Sequence, residues 1–144
     1  MVEADKARRL LGVLADALAD LTRYRLDVGR ERLASSRDAQ HMVLHALYLA
    51  VQAAVDLAMH VGADAGLAQA GTYQDAFRRL SEAKLLDEAL AARLAGWAGF
   101  RKVLAHSYAV IDYDRVFDAL GEIGDLERFA AFVSARLSAE LESH

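Results

Sequence analysis

The sequence predicts an all-α protein, an up-and-down helical bundle with four main helices and several short ones. Hydrophobic residues make up 55% of the chain, and they are led by alanine and leucine, which favour helices. The chain contains no proline that would interrupt a helix. Its 144 residues suffice to bury a substantial core, so we expect a single helical domain over residues 1–144.

The first half of the chain predicts two long helices with a short one between them. Apolar residues recur at helical spacing from residue 2 to about 25, and residues 30–35 can form a short helical turn. The next helix, from about residue 37 to 61, is apolar on nearly every side, so we expect it to be the most buried element. Ser35 or Ser36 is suited to cap its first turn.

The second half predicts three further helices, each preceded by a residue that can cap it. Thr72 opens a short helix that ends near residue 83. Asp87 can cap a helix from residue 88 to about 108, and Asp112 a final helix that reaches about residue 138. The sequence shows no internal repeat and no low-complexity segment.

Two glycines lie inside the helix expected over residues 88–108, where each costs about 1 kcal/mol relative to alanine. Gly96 and Gly99 therefore indicate either close approach of another helix or room for a substrate. We expect Trp97 and Phe100, which lie between and beside them, to make core or dimer contacts.

The net charge of −4 argues against a protein that coats nucleic acid by bulk charge. A local basic cleft is still compatible with this balance, because the local field governs binding of a charged ligand. Basic residues of the second half include Arg78, Arg79, Lys84, Arg93, Arg101, Lys102 and Arg115.

Cysteine usage and hydropathy bear on the compartment. The chain has no cysteine, so it has neither a disulfide framework nor a thiolate metal site, which fits the cytosol. It has no run of eighteen apolar residues, and it begins with a polar, acidic segment. We therefore expect a cytoplasmic protein with no signal peptide and no membrane partner.

The segment of residues 99–108 concentrates the residues with chemical potential. Arg101, His106 and Tyr108 bring a guanidinium, an imidazole and a phenol within eight residues, and Lys102 adds a second cation. Arginine holds phosphate with a planar fork of donors, and histidine exchanges a proton near neutral pH. The pattern suits phosphoryl transfer, in which positioning and charge stabilisation supply most of the catalysis.

The spacing within this segment leaves the assembly of the site open. On an ideal helix Arg101 and Tyr108 share a face, whereas His106 lies roughly 140° from Arg101 around the axis. Three arrangements could bring Arg101 and His106 to one atom. The helix loosens near Ala105, the long arginine stem reaches round, or a second copy of the chain completes the site. The third arrangement predicts a homodimer whose cleft is lined by this segment.

A polar stripe interrupts the apolar helix expected over residues 37–61. His41, His45, Tyr48, Gln52 and Asp56 fall within roughly 80° of one another on a helical wheel. One interpretation is a solvent-facing or dimer-facing edge. The other is that the stripe faces Arg101 and His106 and supports the site there.

Histidine and aspartate pairs at helical spacing are the only candidates for a metal site. His41 and His45 are four residues apart, as are Asp56 and His60. Such pairs are common by chance, and the spacing fixes no third ligand. We therefore expect neither a metal ion nor another cofactor.

The motif and its surroundings resemble a known family. An arginine, four residues, a histidine, one residue and a tyrosine follow Gly99-Phe100 and precede the acidic turn at residues 111–114. This pattern resembles the HepT-like branch of the HEPN superfamily, and the resemblance extends over residues 32–137. It includes residues 47–60, similar to the family's long central helix, and residues 73–77. Lys102 departs from the family's usual Asn or Asp, and Gln52 from its frequent Glu.

The resemblance implies an activity and a partner. Members of this branch are ribonuclease toxins of type VII-like toxin–antitoxin pairs, encoded beside a minimal nucleotidyltransferase antitoxin. By resemblance, Arg101 holds the scissile phosphate and His106 acts as general acid or base in metal-independent cleavage of RNA, with tRNA as a candidate substrate. Tyr108 receives adenylyl groups from the antitoxin, which silence the toxin. Lys102, Gln52 and Asp56 would support this site.

Two other functions compete with this interpretation. The first is a non-catalytic helical bundle that binds a nucleotidyltransferase, which Lys102 and the acidic net charge favour. The second is a structural dimer in which Arg101 pairs with an acid and His106 is a hydrogen-bonded core histidine. Most Arg and His residues of small proteins have no catalytic role, so residue chemistry alone favours that last function. The resemblance favours the ribonuclease.

Overall fold

A computed structural model describes residues 2–106 and 110–142, and this part of the chain forms seven α-helices and no strand. The helices are α1 (Val2–Asp27), α2 (Gly29–Ser35), α3 (Arg37–Asp64), α4 (Tyr73–Glu82), α5 (Glu88–His106), α6 (Tyr113–Leu120) and α7 (Gly124–Glu142). The odd-numbered helices are long and the even-numbered ones are short. The predicted all-α bundle of four main helices with short helices between them is confirmed.

The expected capping side chains begin four of these helices. Ser36 Oγ accepts a hydrogen bond from the backbone of α3, which decides between Ser36 and Ser35. Thr72 Oγ1 caps α4 at 3.1 Å, and Asp87 Oδ2 accepts from the first turn of α5 at 3.0 Å. Asp112 Oδ1 accepts from two backbone N–H groups at the start of α6. Each bond satisfies a donor that the helix itself leaves unpaired.

The final helix expected to end near residue 138 is wrong, because two helices occupy this part of the chain. The backbone N–H of Gly121 bonds to the carbonyl of Asp118 at 3.0 Å, three residues back instead of four. Such bonds tighten the chain into a turn, and glycine at positions 121 and 124 lowers the cost of leaving the helix. The turn redirects the chain so that α7 packs on α1, α3 and α5.

Helix α3 lies at the centre of the bundle and contacts five of the other helices. It is the one described helix long and apolar enough to cross a membrane by length and composition. Within its most apolar window, 56% of the helix is buried inside the protein. Burial in the core accounts for this apolar composition, since a central core helix passes the same test.

The connection between α3 and α4 is held in place by Arg79. Its guanidinium donates to the backbone carbonyl of Ala68 in the loop, and to that of Met59 on α3 at 3.5 Å. The same group lies flat against Gly62, where any Cβ would overlap it. Glycine at this position of α3 therefore makes room for the arginine that fixes the loop.

Arg30 joins α2 to α6, the helix that follows the motif segment. Its guanidinium donates to Asp118 Oδ1 at 2.5 Å and to Asp114 Oδ1 at 3.0 Å, and it lies 4.7 Å from the centre of the Phe117 ring. Hydrogen bonds to Asp118 and Asp114 raise the pKa of Arg30. These contacts fix α6 to the N-terminal part of the bundle.

Candidate functional site

Arg101 is held in place by a chain of hydrogen bonds from α3. Its Nε donates to Gln52 Oε1 at 2.5 Å, and Gln52 Nε2 donates to Asp56 Oδ1 at 2.9 Å. Gln52 and Asp56 are four residues apart, so they lie on one face of α3. The aspartate orients the amide, and the amide orients the guanidinium.

Two aromatic rings flank the same guanidinium. The Arg101 carbon Cζ lies 4.8 Å from the centre of the Tyr73 ring, at the start of α4, and 5.6 Å from that of Tyr48 on α3. A cation near the face of an aromatic ring is attracted by the ring's negative quadrupole. Arg101 is therefore fixed at the junction of α3, α4 and α5.

The terminal nitrogens of Arg101 remain available. Within residues 2–106 and 110–142, neither Nη atom donates a hydrogen bond and no carboxylate pairs with the guanidinium. Gln52, its hydrogen-bond partner among the described residues, is neutral. Arg101 thus presents an oriented, uncompensated cation whose two outer nitrogens form the planar fork that binds a phosphate group.

His106 is the last residue of α5, and its side chain is exposed to solvent. Helix α5 continues without interruption through Ala105, so it does not loosen there. The Arg101 stem extends toward α3, where Gln52 holds it, and does not reach round toward His106. These facts remove the two arrangements by which one chain alone could bring the two residues together. An exposed His106 also contradicts the core histidine that a purely structural role requires.

Tyr108 lies outside the described residues, and its role stays a prediction.

The polar stripe on α3 is divided between two environments. His41 and His45 are exposed to solvent, whereas Tyr48 and Gln52 are half-buried beside Arg101. No group of three or more His, Asp or Glu residues that could hold a metal ion is present in the part of the chain that the structure describes.

The chain matches the sequence model of a known family. The sequence model of the family described as Ribonuclease HepT-like matches residues 14–135. The chain belongs to the HepT-like family.

Solved structures share the fold of this HepT-like chain. A tri-AMPylated HEPN toxin from Shewanella oneidensis, in complex with an MNT antitoxin, is 19% identical at a TM-score of 0.81, over 90% of this chain and 96% of that one. A toxin–antitoxin complex with AMP-PNP is 19% identical at a TM-score of 0.83, over 91% of this chain and 98% of that one. The cytosolic protein YutE from Bacillus subtilis, of unknown function, is 18% identical at a TM-score of 0.81, over 95% of this chain and 92% of that one. At these identities the likeness shows the fold, which is that of HEPN toxins. A search of curated proteins found no significant match.

The exposed side chain of Lys102 in this HepT-like protein lines a cavity of about 330 Å³ that Arg101 does not line. The cavity extends from α5 to the first turn of α4. Tyr73 lines this cavity as well as contacting Arg101. Sequence reasoning assigned no role to Tyr73, since no spacing rule connects it to a residue so far along the chain.

A second cavity of this HepT-like protein, about 770 Å³, lies on another face of α5, toward α6 and α7. Trp97 and Phe100 line it, and both are buried and in edge-to-face contact, as expected of core residues. Arg93 Nε donates to the buried Asp125 at 2.9 Å, so this arginine is already neutralised. The cavity of about 330 Å³ is the better candidate for a ligand site, because Tyr73 connects it with Arg101, whose charge is not paired with an acid among the described residues.

Proposed function

We propose that this HepT-like protein is a metal-independent endoribonuclease, the toxin of a toxin–antitoxin pair. The observation that carries the proposal is the orientation of Arg101, whose two outer nitrogens are unpaired among the described residues while Gln52 fixes its Nε. Such a group binds the scissile phosphate and stabilises the charge that develops on it. Family membership supports this reaction, and tRNA is a candidate substrate in the cytoplasm.

His106 is the proposed general acid or base of the reaction. Its imidazole can take a proton from the RNA 2′-hydroxyl or give one to the leaving oxygen. Its exposure allows this contact with RNA, since a buried imidazole could not reach the substrate. The proposal needs no metal ion, because Arg101 and His106 supply both charge stabilisation and proton transfer.

A homodimer is proposed to complete the site. Arg101 and His106 leave α5 in different directions, so a second copy that packs against this helix brings His106 of one chain to Arg101 of the other. Gly96 is exposed at the edge of the cavity toward α6 and α7, and a Cβ there would meet nothing within 4 Å. No helix of the described chain packs closely on this glycine, which leaves room for close approach of a second copy.

Tyr108 is the proposed site of control by a minimal nucleotidyltransferase antitoxin. A related HEPN toxin has been solved in a tri-AMPylated form with an MNT antitoxin. An adenylyl group attached to Tyr108, a short way along the chain from Arg101, would bring an anionic phosphate to that guanidinium. The modification would occupy the phosphate site and repel RNA without disturbing the fold.

Cleavage of RNA by the purified protein tests the proposed reaction. Arg101→Ala and His106→Ala should each lower the rate at least about 100-fold, since each removes a separate contribution to catalysis. Arg78→Ala is the matched control, because Arg78 is exposed on α4 and pairs only with Asp75 in the described structure. The wild-type rate should be unchanged by EDTA. Loss of activity in EDTA, or full activity of His106→Ala, would contradict the mechanism and favour a non-catalytic partner of the nucleotidyltransferase.

A further inference from the structure

The cavity of about 330 Å³ beside Arg101 has the size and lining of a ligand site. It lies between the end of α3, the loop of residues 65–72, the first turn of α4, and α5. Its volume falls in the lower part of the range that small-molecule sites occupy, roughly 300–1,000 Å³. Met59 supplies a polarisable apolar wall, and the residues that line the cavity include no acid.

Two residues connect the lining of the cavity with Arg101. The Tyr73 ring contacts the Arg101 guanidinium and also lines the cavity. Lys102 follows Arg101 directly in the chain and lines the cavity from α5. A nucleotide whose phosphate lies on Arg101 would therefore have its neighbour within reach of this opening. Lys102 would bind the phosphate of that neighbour as a point charge.

Gln74 provides the group that can tell one base from another. Its side chain lines the cavity, is half-buried, and makes no hydrogen bond within residues 2–106 and 110–142. A carboxamide presents a donor and an acceptor side by side, so it can pair with the edge of a nucleobase. Adenine, which also presents a donor beside an acceptor, matches it best. Gly99 lies directly behind the amide, since a Cβ there would be 3.4 Å from Gln74 Nε2. Glycine at this position of α5 leaves the amide its space.

The wall opposite α5 is fixed before any ligand enters. Arg79 holds the loop through the carbonyl of Ala68 and holds α3 through the carbonyl of Met59, which itself lines the cavity. The Thr72 side chain is occupied in capping α4. A pocket of fixed shape favours binding, because less ordering is needed when the ligand arrives.

We propose that this cavity receives the base of the nucleotide next to the scissile phosphate, with Gln74 reading its edge and Lys102 holding its phosphate. The inference rests on the proposed ribonuclease function and adds base selection to it. Tyr73 separates the two parts of the site, since it contacts Arg101 on one side and borders the cavity on the other.

A binding experiment tests the cavity without any cleavage. The ¹⁵N-labelled protein is titrated with the four nucleoside 5′-monophosphates to millimolar concentrations, and the side-chain amide resonances are followed by NMR. Gln74→Leu identifies the Gln74 signals by their disappearance, and Gln69→Leu, in the neighbouring loop, serves as the matched control. We expect at least one nucleotide, AMP foremost, to shift the Gln74 signals. If no nucleotide shifts them, the proposal is overturned.

A cleavage experiment tests base selection. An RNA library with randomised sequence is digested, and the bases that flank the cut are counted. The wild type should prefer one base by roughly 5- to 100-fold, the discrimination expected of a well-placed bidentate contact. Gln74→Leu should lose this preference, and Gln69→Leu should keep it. Lys102→Met should raise KM, whereas Lys6→Met, on α1, should not. A wild type without preference, or an unchanged preference in Gln74→Leu, overturns the proposal.

The two experiments separate the two hypotheses. A wild type that cleaves no RNA would refute the proposed function, and the Gln74 resonances would still decide whether the cavity binds a nucleotide. A wild type that cleaves without base preference would leave the proposed function intact and refute the base site.

Discussion

Arg101 and Gln52 meet across the contact between α5 and α3, where the arginine Nε donates to the amide oxygen at 2.5 Å. The amide positions the guanidinium without cancelling its charge, because it is neutral. A carboxylate at the same position would hold the arginine equally well and would compete with a phosphate for its cation.

Substitutions of Gln52 separate these two effects. Gln52→Leu should lower kcat up to about 100-fold, because an unrestrained Arg101 no longer keeps its position at the reacting phosphate. Gln52→Glu should keep Arg101 in place and raise KM for RNA, since the new carboxylate neutralises the cation. Steady-state kinetics measure both, with Gln69→Leu as control. Wild-type kinetics in Gln52→Leu would show that this contact has no part in the reaction.

Mixing two inactive variants tests whether two chains share the site. Arg101→Ala and His106→Ala are inactive alone, but a dimer containing one of each keeps one site with both residues if the site is shared. After subunit exchange at equal concentrations, half of the dimers are mixed, so activity should return to about one quarter of the wild-type value.

No activity would return on mixing if the site lay within one chain. A monomer in light scattering at micromolar concentration would likewise contradict the shared site. The control is a mixture of Arg101→Ala with Arg101→Lys, which should recover nothing beyond the activity of the lysine variant, because neither chain carries the arginine.

Adenylylation of Tyr108 is tested by intact-mass spectrometry after incubation with the nucleotidyltransferase and ATP. The wild type should gain adenylyl increments and lose ribonuclease activity, since on the proposed control the added phosphate would compete with RNA for Arg101. Tyr108→Phe should stay unmodified and active. Tyr113→Phe is the matched control and should behave as the wild type. Modification that persists in Tyr108→Phe would place the control site elsewhere.

Arg79 should matter for stability far more than its neighbour Arg78. Arg79→Ala removes two hydrogen bonds from a charged donor to backbone carbonyls and should lower the free energy of unfolding by about 1–3 kcal/mol. Arg78→Ala should change the free energy of unfolding by less than about 1 kcal/mol, because the ion pair between Arg78 and Asp75 is exposed to solvent. Urea denaturation measures both, and equal effects would contradict this role of Arg79.

Gly62 provides an internal check on that interpretation. Gly62→Ala alone displaces the guanidinium, so it should destabilise the protein. In the Arg79→Ala background the same change should be neutral or stabilising, because alanine favours a helix over glycine by about 1 kcal/mol. Equal effects in both backgrounds would show that the two residues do not interact.

Glu140 on α7 should make stability depend on pH. A hydrogen bond with Asp64 of α3, together with partial burial, raises the pKa of Glu140 above 4.5, against the opposing effects of Arg136 and His60. The folded state therefore holds a proton that the unfolded state has released, so stability falls as pH rises from about 4.5 through the raised pKa.

Glu140→Gln removes this titration while keeping a donor for Asp64. Compared with this variant, the wild type should lose unfolding free energy as the pH rises from about 4.5 through the raised pKa of Glu140. Glu127→Gln, an exposed position on the same helix, should follow the wild type. Parallel pH profiles for wild type and Glu140→Gln would refute the coupling.

The sequence predicted the helices well because each carries its own local signals. Caps such as Thr72 and Asp112 act within one turn, and the apolar periodicity of α3 is visible without tertiary information. The break at Gly121 was missed because the apolar stripe continues across it. A periodic pattern does not reveal where the chain turns, and glycine alone is a weak signal of a turn.

The candidate site was predictable in part. A helical wheel puts Gln52 and Asp56 on one face of α3, and a position beside Arg101 was one of the two interpretations of that face. Tyr73 could not be placed there, because its contact with Arg101 depends on how α4 packs against α5. The direction of the Arg101 stem could not be predicted either, since three arrangements fitted the spacing and the contact with Gln52 depends on how α5 packs on α3.

The order of the contacts along the chain has a consequence for synthesis on the ribosome. Tyr48, Gln52 and Tyr73, which hold Arg101, all precede it in the sequence. The ribosome therefore makes the residues that hold the guanidinium before it makes α5. On the proposed function, a nascent or prematurely terminated chain that ends before α5 has neither Arg101 nor His106. The growing polypeptide is therefore harmless to the RNA of the ribosome that makes it until Arg101 has been added.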